Sequence, residues 1–282
     1  MNHKHIRTLV LIKGAGDLAT GVAVRLLRTG FKVVMTDIEK PSAVRRTVAF
    51  SEAVYHGRAE VEGFQAKRAY TVDDVYGMLA EGTTPVLADA TAACTAALSP
   101  DVLVDAIIAK RNLGTAITDA ALVIALGPGF IVGKDCHAAI ETMRGHDLGR
   151  VYYMDGQSPI PNTGVPGLVA GFGAERVMYT PCAGVFHCLR RIGDAVNEGD
   201  IVAEVDGAPV KASIPGILRG LLPEGFTAWP GLKCADIDPR CKREHCFSVS
   251  DKARAIGGGV LEAILAQKVL RRTAGDAISP RI

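Results

Sequence analysis

Along the first half of the chain, short unbroken apolar runs alternate with segments whose apolar positions recur at helical spacing. The run TLVLIKGAG ends in glycines, as a strand buried on both faces does at its carboxyl end. ATGVAVRLLRTG follows with Val22 and Leu26 on one helical face, and Gly30 is placed to close that helix. FKVVMTD reads as a second strand, and TPVLADAT, from Thr84 to Thr91, as a third. PSAVRRTVAFSEAV, opened by Pro41, reads as a further helix. DVLVDAIIAKRN fits strand or helix, and DAALVIALGPG is a strand that again runs into glycines. Strand–helix alternation of this kind predicts a parallel sheet covered on both faces.

The texture changes near residue 150. QSPIPNTGVPG is a Pro- and Gly-rich loop, and from Arg176 short strands alternate with glycine turns. SVSDKARAIGGGVLEAILAQKVLRR then makes a terminal helix, with Ser248 or Ser250 as its cap and Asp251 in its first turn. The expected fold class is α/β: a Rossmann-like parallel sheet domain, then a small all-β barrel-sandwich module of biotinyl/lipoyl-like type, then a C-terminal helix. The boundaries are residues 1–175 for a nucleotide- or cofactor-binding domain with an appended hairpin, 176–240 for the β module, and 241–282 for the helix packing back on the first domain. A doubled glycine rhythm, Gly193 to Gly199 and Gly225 to Gly231, suggests the barrel-sandwich. A swinging-arm carrier needs a lysine at the hairpin tip. The tip falls at Asp206-Gly207 and Lys211 comes later, so the module reads as a scaffold or docking unit. Gly257, Gly258 and Gly259 sit inside the terminal helix, where each costs about 1 kcal/mol, so close packing is the reading favoured over an anion site.

Composition narrows the function classes. The 282 residues are 48% hydrophobic and 22% charged, with a formal net charge of +2. No clustered basic stripe marks a nucleic-acid partner. The basic dipeptides Arg45-Arg46, Lys67-Arg68 and Arg271-Arg272 read as solvated helix edges. No apolar run approaches a membrane span, and Leu9 to Ile12 is too short for a secretory segment, so a cytoplasmic protein without a membrane role is expected. The seven cysteines include no CxxC and read as reduced thiols. Cys234, Cys241, His245 and Cys246 cluster, but their spacing matches no common zinc site, and no metal is expected there.

Two glycine loops carry the candidate chemistry. KGAGDLATG puts Gly14, Gly16 and Ala19 in the G-x-G-x-x-G/A pattern between a strand and a helix, and Asp37 ends the next strand about 20 residues on. A nucleotide or dinucleotide fits, NAD(P) among them, with its pyrophosphate at the helix start and Asp37 on a ribose hydroxyl. Asp17 puts a negative charge beside that anion site, while Lys40, Arg45 and Arg46 leave room for a 2′-phosphate. The alternative is that the glycines only let strand and helix pack. LGPGFIVG supplies Gly127 and Gly129, and with Asp89 and Thr91 they fall at the carboxyl rim of the sheet, which suits a phosphorylated or pterin-like ligand. In the segment that holds AAIETMRGHDLGR, a hairpin pairing CHAAIET with GRVYYM around the turn MRGHDL is favoured over a helix with His137, Glu141 and Arg144 on one face. Arg144 can clamp a phosphate or carboxylate and His146 can shuttle protons, the alternative being a Glu141–Arg144 pair on a solvated turn. Asp236 and Asp238 share one side of a strand and fit either Mg²⁺ or a strand-ending turn.

KGAGDLATGVAVRL, LGPGFIVGKDCHAAIETMRGHDLGR, PNTGVPG, ILRGLL, LKCADIDPR and SDKARAIGGGVLEAIL together resemble the YqeB-type family of selenium-dependent molybdenum hydroxylase accessory proteins. The middle block is more distantly similar to the Rossmann part of XdhC-type maturation factors. The resemblance implies a role in maturing a molybdenum hydroxylase, with the apoenzyme as partner and a molybdopterin-type cofactor as ligand. It carries over no catalytic residue, and Cys188, Cys234 and Cys241 lie outside its pattern. The candidate cofactor-binding residues are therefore Gly14, Gly16, Asp17, Asp37, Asp89, Gly127, Gly129, Glu141, Arg144 and His146. An NAD(P)-dependent oxidoreductase and a non-catalytic hydroxylase chaperone are the alternatives, and a homo-oligomer is left open.

Overall fold

The computed structural model describes residues 8–274, with side chains to residue 267. The basic start of the chain and the Arg271-Arg272 side chains lie outside the described residues. In chain order the first elements are β1 (Leu9–Lys13), α1 (Asp17–Arg28), β2 (Lys32–Asp37), α2 (Glu52–His56), β3 (Arg58–Val61), β4 (Phe64–Ala69) and α3 (Val72–Ala80). There follow β5 (Thr84–Ala88), α4 (Thr95–Leu98), β6 (Val102–Asp105), β7 (Leu122–Leu126), β8 (Ala138–Ile140) and β9 (Val151–Tyr152).

These nine strands form one mixed sheet in the order β3-β4-β5-β2-β1-β6-β7-β8-β9. The strands from β4 to β8 run parallel, and β3 and β9 pair antiparallel at the two edges. Alternation along each strand feeds two cores. Val10, Ile12, Val33 and Met35 face one side with α1, while Leu11, Val34, Leu103 and Val123 face the other. Thr29 caps the carboxyl end of α1 and Gly30 follows in the left-handed region, as its position in the sequence suggested.

Beyond residue 176 come β10 (Val177–Tyr179), β11 (Gly184–Cys188), β12 (Ala195–Val196), β13 (Ile201–Val205), β14 (Ala208–Lys211), β15 (Gly216–Leu221), β16 (Phe226–Ala228) and β17 (Lys233–Asp238). They make two four-stranded antiparallel sheets, β10-β17-β15-β12 and β14-β13-β11-β16, around a core that includes Phe186, Leu218, Leu221 and Ile237. The long α5 (Asp251–Ala274) then returns to the large sheet. It packs on α1 where Gly21 faces Ala253 and Gly257 faces the Gly21 carbonyl. Ser250 is its cap, accepting from the Ala253 amide at 3.2 Å.

The expected Rossmann-like parallel sheet followed by a biotinyl/lipoyl-like barrel-sandwich is not this architecture. The large sheet is mixed, with antiparallel strands at both edges, and two separate antiparallel sheets follow it. The edge strand β3 and its neighbour β4 escape a reading based on apolar runs because they are short and polar: β3 reads RAEV and β4 FQAKRA. Regular strand–helix alternation also fails beyond β6. There the face of the sheet is met by α5 from the far end of the chain rather than by local crossover helices.

The helix expected from Pro41 is also absent. That stretch is a strap ending in a short 3₁₀ turn, Arg46–Val48, and the brief α2. Its polar groups turn outward to the β module instead of closing helical bonds. The Leu221 amide donates to the Val44 carbonyl at 2.8 Å, and Arg46 Nε donates to the Leu221 carbonyl at 2.8 Å. Thr47 Oγ1 reaches the Cys246 carbonyl at 2.6 Å. Tertiary partners have overridden helical propensity.

Candidate functional site

A cleft of about 920 Å³ opens between the large sheet and the β module. Its floor is the start of α1, with Asp17 and Leu18, and the strap with Arg45. One wall is the β module, with Arg219 from β15 and Lys233 and Asp236 from β17. The opposite wall is the loop 141–144 and the segment 162–169, which holds all of the PNTGVPG motif but its first proline. Ser250 and Lys252, at the start of α5, close one side. Among the described residues seven cationic side chains and four carboxylates line this space, so its electrostatic bias is towards anions.

The β-module wall is an ion-pair network taken out of water. Asp236 accepts from Arg176 Nη1 at 2.9 Å and from Arg219 Nε and Nη2 at 3.0 and 2.8 Å. Asp238, fully buried, accepts from Arg240 Nη2 at 2.6 Å and stands 3.5 Å from Arg219 Nη1. Burial alone would raise the Asp238 carboxyl. The Arg240 hydrogen bonds and the Arg219 charge outweigh it and hold the group well below the usual carboxylate range. The option of Mg²⁺ on Asp236 and Asp238 is thereby closed in this structure, because arginines occupy both carboxylates.

The glycine loop at Gly14 is built as a tight turn. Gly14 adopts φ +97°, and a Cβ there would meet the Ala106 carbonyl at 2.8 Å. Gly16 precedes α1 and supplies no side-chain cap, so no side chain answers the first-turn amides. Asp37, however, is committed to the loop itself. Its Oδ2 accepts from the Ala15 amide and its Oδ1 from the Ile38 amide, each at 2.8 Å. Burial pushes its carboxyl up, against the pull of those two bonds. A ribose hydroxyl would have to share these oxygens with the two amides. Of this first motif Asp17 and Leu18 reach the cleft, and Asp17 stands 3.5 Å from Arg45.

The second group of candidates divides. Asp89 closes its own turn, accepting from the Cys94 amide at 2.8 Å and from Thr91 Oγ1 at 3.3 Å, and it is not part of the cleft lining. Gly127 and Gly129 both have positive φ and serve close packing. A Cβ on Gly127 would meet Thr142 Oγ1 at 2.6 Å, and one on Gly129 would run into the Arg111 backbone. The hairpin expected over residues 138–152 forms, with Ala139 opposite Tyr152 and Ile140 opposite Val151. Glu141, fully buried at its mouth, takes the Met143 amide at 2.7 Å, the Ile160 amide at 2.8 Å and the Tyr152 hydroxyl at 3.3 Å. It staples the 160s loop to the hairpin and does not pair with Arg144. Arg144 makes a two-point ion pair with Asp251 instead, and His146 is exposed, outside the cleft lining.

Sequence reasoning named Asp17, Glu141, Arg144 and Asp236 but missed most of the cations that line the cleft. Arg45, read either as a solvated edge or as a cation near a 2′-phosphate, is buried, and its Nη2 donates to the His245 carbonyl at 2.9 Å. Of the other basic pair, Arg68 meets both oxygens of Glu39, at 2.6 and 2.8 Å. Arg219 carried a readable signal, an arginine inside the apolar run GILRGL of a buried strand. Arg176 and Lys252 carried none, since their placement depends on contacts far along the chain. Burial pushes the thiols of Cys94, Cys136 and Cys234 up to about 12 and that of Cys188 to about 11, so these thiols stay protonated near neutrality. Among the described residues no group of three or more His, Cys, Asp or Glu is arranged to hold a metal. No described helix is long and apolar enough to cross a membrane.

No family model matches the chain. The Escherichia coli (strain K12) protein described as uncharacterized protein YqeB is 47% identical over 264 residues. The match takes in 94% of this chain and 48% of that protein, so the chain spans about half the length of its curated relative. Among solved structures, an aspartoacylase family protein from Mesorhizobium loti aligns with a TM-score of 0.27 and 9% identity, covering 82% of this chain and 84% of that one. The product-bound ectoine utilization protein EutE (DoeB) from Ruegeria pomeroyi aligns at 0.24 with 12% identity, covering 82% and 85%. Likeness at that level does not define a shared fold.

Proposed function

The chain belongs to the YqeB family, and on that premise we propose that it binds a phosphorylated cofactor, a nucleotide or a molybdopterin-type molecule, and serves the maturation of a selenium-dependent molybdenum hydroxylase. The observation that carries the ligand class is the cleft: about 920 Å³ lined, among the described residues, by seven cationic side chains against four carboxylates. That size lies in the range of cofactor pockets, roughly 300–1,000 Å³. The hydroxylase apoenzyme as partner, and the link to XdhC-type factors, rest on the motif resemblance alone.

The residues present fit a phosphate better than a complete nicotinamide dinucleotide. The acidic residue that a dinucleotide would use on its ribose, Asp37, already holds two backbone amides of its own loop. Arg45 and Lys252, by contrast, stand at the cleft as cations for a phosphate. Arg144 neutralises Asp251 and so keeps a carboxylate from opposing an anion there.

The test is identification of the small molecule that co-purifies with the chain, together with a melting-temperature screen. A ligand that binds only the folded state raises the melting temperature by mass action. Nucleotides or molybdopterin forms are expected to do so, and nicotinamide dinucleotides to do so weakly. If no phosphate-bearing compound co-purifies or shifts the transition, the ligand reading is wrong and a chaperone without a ligand replaces it.

A further inference from the structure

One corner of the cleft gathers cations with unmet bonding capacity. The Arg45 side chain is 5% exposed; its Nη1 meets Asp17 and its Nη2 the His245 and Ser248 carbonyls, while its buried Nε has no hydrogen-bond partner among the described residues. Lys252 lines the same cleft from the first turn of α5, and its ammonium makes no hydrogen bond or ion pair among the described residues. Burial, and then the nearby Arg144 charge, push that ammonium's pKa down. Asp17 acts on both cations, standing 3.5 Å from Arg45 Nη1 and drawing electrostatically on Lys252. Two cations around one carboxylate leave a net positive site at the start of α1, a twelve-residue helix whose cap offers no side-chain acceptor.

We propose that this corner, made by the start of α1 with Arg45 and Lys252, is the phosphate seat of the cleft, taking a phosphomonoester or diphosphate group. The inference rests on reading the cleft as a phosphorylated-cofactor site and assigns where in it the phosphate lies. A helix start favours an anion through its oriented amides. A guanidinium and an ammonium add charge-assisted bonds, which are shorter and stronger than neutral ones. The α5 start contributes only its lysine. Ser250 Oγ takes the Ala253 amide, and the Asp251 carboxylate takes the Lys252 amide. Arg144 is a positioning residue, holding Asp251 away from the incoming anion.

The experiment is calorimetric titration of the full chain with inorganic pyrophosphate, and with succinate as a carboxylate probe. Lys252→Met is expected to weaken pyrophosphate about tenfold, the scale of one charge-assisted contact. Asp17→Asn is expected to tighten it several-fold, an opposite sign that loss of folding cannot mimic. Lys134→Met, the same charge change outside the cleft lining, leaves binding unchanged. If the wild type binds pyrophosphate and both Lys252→Met and Asp17→Asn bind it equally well, the seat lies elsewhere and the cofactor reading stands. If succinate binds as tightly as pyrophosphate, the phosphate assignment is overturned. If the wild type binds pyrophosphate not at all but a phosphorylated cofactor still raises its melting temperature, this inference falls alone. If neither happens, both readings fall.

Discussion

Arg144 and Asp251, 107 residues apart in the chain, meet in a two-point ion pair, Nη1 to Oδ2 at 2.7 Å and Nη2 to Oδ1 at 2.8 Å. The pair ties the hairpin loop to the start of α5 and fixes the side of the cleft next to Lys252. Asp251 is 58% exposed, so water screens the pair and its contribution is about 0.5–1 kcal/mol. Arg144→Ala is expected to lower stability by that small amount in urea titration. It should weaken phosphate binding more clearly, because it uncovers the Asp251 carboxylate beside the site. His146→Ala, on an exposed residue, should change neither.

The acid side of the stability profile follows from the same pair. The Arg144 hydrogen bond holds the Asp251 carboxyl well below the usual carboxylate range. A depressed folded-state value means the contribution is complete above the unfolded value of about 4 and is lost as pH falls below it. Asp238 has the same sign. The urea midpoint should therefore hold steady above about pH 5 and fall below about pH 4. Asp251→Asn should make that fall shallower, and an unchanged slope would remove Asp251 from the account.

Asp236 stands between two buried arginines, Arg176 and Arg219. Removing it takes the main carboxylate from both guanidinium groups, leaving Arg219 its 3.5 Å contact with Asp238 and Arg176 only backbone carbonyls. Asp236→Ala is expected to cost about 3–5 kcal/mol, the range for breaking a buried pair from one side. Asp236→Asn, which keeps an acceptor oxygen, should cost less. Equal losses in the two variants by equilibrium unfolding would point to packing rather than charge.

Glu141 organises the loop that forms the far wall. Glu141→Ala leaves the Met143 and Ile160 amides without their acceptor, an expected loss of about 2–3 kcal/mol. The 160s segment should become susceptible to limited proteolysis in that variant. Glu141→Gln keeps one acceptor oxygen and should be intermediate. Protection equal to wild type in both would mean that the loop is held by something else.

The three consecutive glycines of α5 should separate by position. A Cβ on Gly259 would run into the Gly149 carbonyl, and one on Gly257 would lie 3.1 Å from the Gly21 carbonyl. Gly258 faces open space, with nothing within 4 Å. Gly258→Ala should stabilise the chain by up to about 1 kcal/mol through helical propensity. Gly259→Ala should destabilise it. Thermal melts of the two variants moving in the same direction would contradict this packing.

Much of the local structure was legible because it depends on neighbours in sequence. The apolar run before Gly14, the helix closed near Gly30, the hairpin over 138–152 and the cap at Ser250 are all decided within a few residues. The edge strand β3 was not legible, since a short polar strand shows no apolar run. Nor was the strap from Pro41, whose side chains bond to the Leu221 carbonyl of the β module and the Cys246 carbonyl beyond it instead of completing a helix.

The sequence by itself determined where strands meet glycine turns and where the terminal helix begins, because periodicity and turn chemistry act over one or two turns of chain. Only the tertiary structure decided which charges meet. Asp17, Arg45, Arg219 and Lys252 are spread over more than 200 residues and come to one cleft through the docking of the β module and the return of α5. Burial then sorted residues that look alike in sequence. Asp37 and Arg144 are engaged by internal bonds, while Arg45 keeps only its Nε unbonded and the Lys252 ammonium has no partner among the described residues.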